Sequence, residues 1–266
     1  MRALLTGAAV LATCTSLVVA WAVAPAVAAP AATPPAEDHA MGSQIARHEG
    51  RGDPRAVVDP GTREVVHGID VSSHQGDVDW VHWWGQGKRF AYVKATEGTG
   101  YRNPDFAQQY NGSYRVGMIR GAYHFALPDR SSGDAQADYF VDHGGGWSPD
   151  GRTLPGALDM EYNPYGPTCY GLSREAMVSW VRAFSDRYQD RTGRRPVIYT
   201  STSWWNQCAA GDFGSTSPLW VARYASTVGT LPHGWGIHTF WQYTSTPIDQ
   251  NLFNGSYDRL RALADG

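Results

Sequence analysis

The sequence predicts an α/β fold, an irregular TIM-like (β/α) barrel, and three observations carry that reading. Short apolar runs rich in β-branched residues recur from Val65 onward, each closed by a Gly-, Asp- or Ser-rich break. Helical patterns alternate with these runs, the order expected of a parallel sheet. Five of the seven runs are apolar on both parities, as strands covered on both faces should be. The helical patterns thin out after about residue 193, so the barrel should carry fewer helices in its second half.

The predicted strands, in order, are VVHGIDVS (65–72), FAYVKAT (90–96), MIRGAYHFA (118–126), LPGALDMEY (154–162), PVIYT (196–200), PLWVARYA (218–225) and IHTFWQY (237–243). Helices are expected near 79–86, 104–115, 133–143, 173–192 and 256–264. Neither an internal repeat nor a linker is seen after Val65.

The N-terminus has a different texture. Arg2 supplies a minimal basic region, an apolar run extends from Ala3 to about Val23, and Pro25 with the small residues Ala26-Val27-Ala28-Ala29 offers a cleavage site. A membrane anchor is the competing reading, since a spanning helix needs about 20 apolar residues. The proline and the small-residue exit favour cleavage, and Cys14 lies too early in the apolar run for lipidation. Residues 1–29 are therefore read as a signal peptide, 30–65 as a flexible leader or propeptide-like arm, and 66–266 as the catalytic barrel. Export places the protein outside the cell with no stable membrane association. It also makes Cys169 and Cys208 a disulfide rather than a metal site.

The formal charge is −3, and without Arg2 it is −4, with 21 basic against 25 acidic residues. That argues against nucleic acid as a partner, because its binders present basic patches. Eleven Trp and fourteen Tyr suit a sugar-binding groove and a packed core alike.

Polar side chains cluster where the predicted strands end: Asp70, Glu97, Tyr123 and His124, Asp159 and Glu161, Tyr199, Gln242 and, shortly after, Asp249. That end of a barrel carries its active site. Asp159-Met160-Glu161 is the sharpest local feature. On a strand, alternate residues share a face about 6.6 Å apart, and two carboxylates so placed should raise one another's pKa. A carboxylic acid still protonated near neutral pH can protonate a leaving oxygen. Taken alone, such a triplet is also what a solvated strand end or a helix cap looks like, and Asp70 could equally form a turn. No G-x-S-x-G elbow, H-E-x-x-H pair, zinc-spaced Cys/His cluster or phosphate loop occurs, so carboxylate acid/base chemistry without metal or cofactor is what remains.

Taken together, GIDVSSHQG (68–76), FAYVKATEGTGY (90–101), GMIRGAYHFA (117–126), ALDMEYNP (157–164), VIYTS (197–201), LWVARY (219–224) and FWQYTST (240–246) resemble glycoside hydrolase family 25, the Chalaropsis-type lysozymes. The resemblance implies a modified barrel and hydrolysis of the β-1,4 bond between N-acetylmuramic acid and N-acetylglucosamine in peptidoglycan strands, by a monomer. It implies Glu161 as the general acid, with Asp159 and Asp70 as the other catalytic carboxylates. Tyr123, Tyr199, Gln242 and Asp249 would be substrate-binding, although PIDQN (247–251) is shorter than the family's usual approach to that last Asp. Two neighbours on one strand cannot easily reach opposite faces of a sugar. Asp159 is therefore expected to orient the substrate's acetamido group, and a covalent route through a carboxylate nucleophile is the alternative. A chitinase-like hydrolase and a non-catalytic glycan-binding barrel are the competing functions.

Overall fold

The computed structural model describes residues 38–53 and 64–266. The expected signal peptide and the leader positions 30–37 and 54–63 lie outside the described residues.

Eight strands close into a barrel: β1 (Val66–Val71), β2 (Phe90–Glu97), β4 (Ile119–Phe125), β5 (Ala157–Asp159), β6 (Val197–Ser201), β7 (Leu219–Ala222), β8 (Phe240–Thr244) and β9 (Gln250–Phe253). A two-residue strand, β3 (Tyr101–Arg102), flanks β2. Neighbours from β1 through β8 run parallel, whereas β9 is antiparallel to both β8 and β1 and closes the ring. All seven predicted runs contain a strand. The eighth was not predicted, because Gln250-Asn251-Leu252-Phe253 is half amide and shows no β-branched run. The run at 154–162 contributes only three strand residues. Pro155 has no N–H to give a ladder, and the Gly156 N–H is spent on the Tyr188 hydroxyl at 2.7 Å.

The outer helices are α2 (Trp80–Gly85), α3 (Phe106–Arg115), α4 (Gly133–Phe140), α5 (Arg174–Thr192), α6 (Thr202–Cys208) and α7 (Tyr257–Asp265). Between β7 and β8 no helix forms, which is the thinning the sequence predicts. Helix α5 shows how local signals set the ends. Ser173 caps the first turn by accepting from the Ala176 N–H, and Gly193 stops the helix at φ 77°. Short α6 was not predicted; Ser201 caps it through the Trp204 N–H.

Alternation along each strand separates two surfaces. On β2, Ala91 and Val93 pack outward with Ile69, Val71, Trp80 and Met118, while Phe90 and Tyr92 point into the barrel. Inside, the Tyr92 ring meets Trp220 at 4.7 Å, and the Phe90 ring meets Phe240 at 5.3 Å. Two glycines make that layer possible. A Cβ at Gly68 would sit 2.5 Å from the Phe90 ring, and one at Gly121 would sit 2.3 Å from Tyr92. Most of the tryptophans therefore fill core rather than line a groove: Trp204, Trp205 and Trp220 are fully buried.

The final described segment precedes the barrel in sequence. It holds a helix, α1 (Ser43–Glu49), and lies across the open end of the barrel, with Met41 and Ile45 each 1% exposed.

Candidate active site

Above the aromatic floor, the next inward position is polar on most strands, Ala222 on β7 being an exception. Asp70 follows Gly68 on β1, Lys94 follows Tyr92 on β2, and Gln242 follows Phe240 on β8. Tyr123 on β4, Asp159 at the end of β5 and Tyr199 on β6 face the same side, and all of these are buried. The structure thus gathers Asp70, Tyr123, Asp159, Glu161, Tyr199, Gln242 and Asp249 at one barrel mouth.

One hydrogen-bonded chain ties Asp70, Gln242 and Tyr199 together. The Asp70 Oδ2 accepts from Gln242 Nε2 at 2.9 Å and from Asn251 Nδ2 at 2.7 Å, and Asn251 in turn accepts from the Trp220 indole at 2.9 Å. Gln242 Oε1 accepts from the Tyr199 hydroxyl at 2.6 Å. The Tyr224 hydroxyl lies 2.8 Å from the same Oε1 and 3.1 Å from the Gly42 carbonyl, with one proton for the two. Burial lifts the Asp70 carboxyl to about 7 even against those two amide donors. Asp249 immediately precedes β9, and its carbonyl accepts the Asp70 N–H at 3.3 Å. Its carboxyl is raised well above the ordinary range by burial and then by the charges of Asp70 and Glu161.

Asp159 and Glu161 are both fully buried. Strand β5 ends at Asp159, so Glu161 sits just beyond the strand rather than on it. Asp159 is raised well above the carboxylate range by burial first and by the Glu161 charge second. For Glu161 burial is also the largest cause, and it reaches about 8 although three backbone N–H groups pull it down. Desolvation outweighs the mutual repulsion expected from the sequence. Neither oxygen of Asp159 has a hydrogen-bond partner among the described residues, nor does Asp70 Oδ1. A buried carboxylate with both oxygens unspent is costly, and it is a ready acceptor for a donor brought in from outside.

The three donors on Glu161 come from the segment ahead of the barrel. The Gly42 N–H reaches Oε1 at 2.7 Å, and the Gln44 and Ile45 N–H groups reach Oε2 at 2.8 and 2.9 Å. The Tyr123 hydroxyl accepts the Met41 N–H at 3.1 Å.

Glu97 stands apart from the two acids. It pairs with Lys94 Nζ at 2.6 Å, and Lys94 also reaches Asp38 Oδ1 and the His39 carbonyl, each at 2.7 Å. Burial raises Asp38 and Glu97 most, but the Lys94 ammonium together with hydrogen bonds from Ser73 to Asp38 and from His39 to Glu97 holds both below the usual range. His124, between Thr96 and Gln136, is fully buried and pushed down to about 4 by desolvation, so it serves the packing as a neutral ring. Lys94, Tyr224 and Asn251 were missed from the sequence. Lys94 and Asn251 do occupy inward positions of their strands, two residues above Tyr92 and two below Phe253, and that spacing was the available signal.

The glycosyl hydrolases family 25 profile matches residues 69–252, well over half of the chain and spanning every strand from β2 to β8. The chain belongs to glycosyl hydrolase family 25. It is 47% identical over 257 residues to lysozyme M1 of Streptomyces globisporus, covering 90% of this chain and 87% of that one. It is 50% identical over 210 residues to the N,O-diacetylmuramidase of Chalaropsis, covering 76% of this chain and all of that protein. In three dimensions it is similar to the bacterial lysozyme from Streptomyces coelicolor, with a TM-score of 0.74 and 50% identity over 75% of this chain and 97% of that one. The lysozyme M1 match takes in more of the chain than residues 66–266 could supply, so it runs into the segment ahead of the barrel.

The Cys169–Cys208 disulfide forms, with Cα atoms 5.2 Å apart. It joins the loop after β5 to the end of α6, behind the two acids.

Proposed function

We propose that this glycosidase is an exported muramidase that cuts peptidoglycan strands with Glu161 as its proton donor. The observation that carries the reading is the pair of buried carboxylates at the barrel mouth of a family 25 chain. Glu161 is lifted to about 8 by burial, and Asp159 beside it has both oxygens unspent.

The chemistry follows from those two states. Glu161, when it carries its proton, gives it to the glycosidic oxygen as the C1–O bond breaks. Asp159 accepts the N–H of the C2 acetamido group, aiming that group's carbonyl oxygen at C1 from the far face. The oxygen bonds to C1 and forms a cyclic intermediate. Glu161, now ionised, takes a proton from water, whose oxygen attacks C1, reopens the ring and restores the acetamido group. Asp70 and Asp249 stand at the same mouth, where ionisation of either would balance the developing cation. Tyr123, Tyr199 and Gln242 line the sugar site.

Residues 1–29 serve as the export signal in this reading. Among the described residues no helix is long and apolar enough to cross a membrane. The Chalaropsis relative is spanned in full by 76% of this chain, and the assay protein is the chain freed of the segment ahead of the barrel. It should clear a suspension of Gram-positive cell walls and leave chitin intact. Glu161→Gln should lower turnover at least ~10²-fold with glycan binding kept, as for loss of a general acid. Near-normal lysis by that variant would remove Glu161 from the role, and equal cleavage of chitin would replace the substrate.

A further inference from the structure

In the described structure the proposed acid is not free to act. Both of its oxygens are spent on the N–H groups of Gly42, Gln44 and Ile45. Donors in that arrangement favour the bare carboxylate, whereas the reaction needs a proton there. Met41 and Ile45 fill the space above it, each 1% exposed.

The rest of the segment is anchored on both sides of Glu161. Toward β2, Asp38 pairs with Lys94 and Ser73, and the His39 N–H and ring reach the two Glu97 oxygens at 3.0 Å each. Toward β6, Glu49 accepts from the Tyr162 hydroxyl at 3.0 Å and also from Ser201, while His48 stacks on Tyr162 at 4.1 Å. Residues 38–49 therefore bridge the mouth from β2 to β6 through the point where a glycan would have to lie.

The fit is close at one residue above all. Gly42 has φ 76°, and a Cβ there would lie 2.1 Å from the Tyr224 hydroxyl and 2.6 Å from both Gln242 Oε1 and the Tyr199 hydroxyl. Only glycine lets the backbone pass between those groups and Glu161. Gly52 repeats the pattern at the exit, where a Cβ would meet the Tyr224 carbonyl at 2.0 Å.

We propose that residues 38–53 are a built-in inhibitor, which occupies the catalytic groove and keeps the chain latent until the connection between Asp53 and Glu64 is cut. The inference rests on Glu161 being the acid. Because the arm is tethered, it competes with glycan at an effective concentration that free peptide would not reach. The segment is present in the stretch matched to lysozyme M1, whereas the Chalaropsis muramidase is spanned in full by 76% of the chain.

The test uses the full exported chain with a specific protease site inserted between Arg63 and Glu64. Wall lysis and binding of a soluble tetrasaccharide of alternating N-acetylglucosamine and N-acetylmuramic acid are measured before and after the cut, with the arm removed by gel filtration. An arm open one part in a hundred should hold the uncut chain ~100-fold lower in both readouts. Gly42→Ala, which alters only the arm and leaves every residue of the barrel in place, should raise the uncut chain toward the cut one and leave the cut one unchanged. Equal binding and lysis before and after the cut would overturn the proposal, and so would an inert Gly42→Ala. If the cut restores glycan binding but neither form lyses walls, the arm still blocks the groove and it is the muramidase reading that falls.

Discussion

The floor and the mouth of this barrel are built by the same strands, two residues apart. On β2, Phe90 and Tyr92 belong to the floor and Lys94 to the mouth; on β1 the pair is Gly68 and Asp70, and on β8 it is Phe240 and Gln242. In the floor, rings pack on rings, and the polar tips are satisfied: the Tyr92 hydroxyl donates to the Pro155 carbonyl at 2.9 Å and the Trp220 indole to Asn251 at 2.9 Å. In the mouth, Asp159 has neither oxygen satisfied, and Asp70 and Glu161 are lifted to about 7 and 8. A two-residue period lets one short strand carry a packing residue and a reacting one without mixing them. Stability collects below, and its cost is concentrated above, where substrate can use it.

Substitutions on the two levels should therefore fail in opposite ways. Asp159→Asn should lower turnover of the cut chain on a soluble glycan by ~10²–10³-fold, the scale for removing one preorganised electrostatic partner. Its melting temperature should hold or rise, because the substitution removes a buried ionisable group neither of whose oxygens is satisfied. A stable variant of undiminished turnover would take Asp159 out of the reaction. In the floor, Phe240→Ala should cost about 3–5 kcal/mol, the range for a large aromatic lost from a packed core. Activity per folded molecule should change little, since Phe240 touches Phe90, Tyr92, Trp220 and Phe253 and no group of the mouth. Denaturant titration beside active-site counting separates the two effects. A floor variant as stable as the parent but slow would erase the distinction between the levels.

The floor and most of the mouth were legible in the sequence for the same reason: strand period and apolar runs are local. Every predicted strand from VVHGIDVS to IHTFWQY contains an observed one, and the acids ending them come together. What escaped lacked a local signal. Strand β9 owes its place to pairing with β8 and β1, and its residues Gln250 and Asn251 do not look like a strand. Lys94 reads as an exposed residue until its neighbours Asp38 and Glu97 are known, and they meet it from 56 and three positions away. The arm was the hardest to read. Its helix is seven residues long, with neither an apolar stripe nor a side-chain cap, and the barrel mouth rather than the sequence around it decides that it forms.

The smallest expected effect concerns the cost of the mouth and needs its sign worked out. Burial raises Asp70 from 3.8 to about 7 and Glu161 from 4.5 to about 8, so the folded chain keeps protons that the unfolded chain has released. Stability from such groups is fully present below their unfolded pKa values and is lost as pH rises through the folded ones. His124 runs the other way. Held down at about 4 in the fold against 6.5 unfolded, it makes the protein more stable as pH climbs to 6.5 and contributes no slope above that. The clean window is therefore about pH 6.5 to 8, where the melting temperature of the intact chain should fall. Asn at position 70 keeps an oxygen for Gln242 and Asn251 and carries no charge, so Asp70→Asn should flatten the lower part of that fall. The difference should be on the order of a few degrees, since about 1 kcal/mol moves the midpoint of a domain this size by roughly 2–4 °C. Calorimetry of parent and variant at pH 6.5, 7.2 and 8 reads it directly. A parent whose midpoint rises across that window, or a variant that follows the parent at all three values, would mean that the mouth does not carry the cost assigned to it.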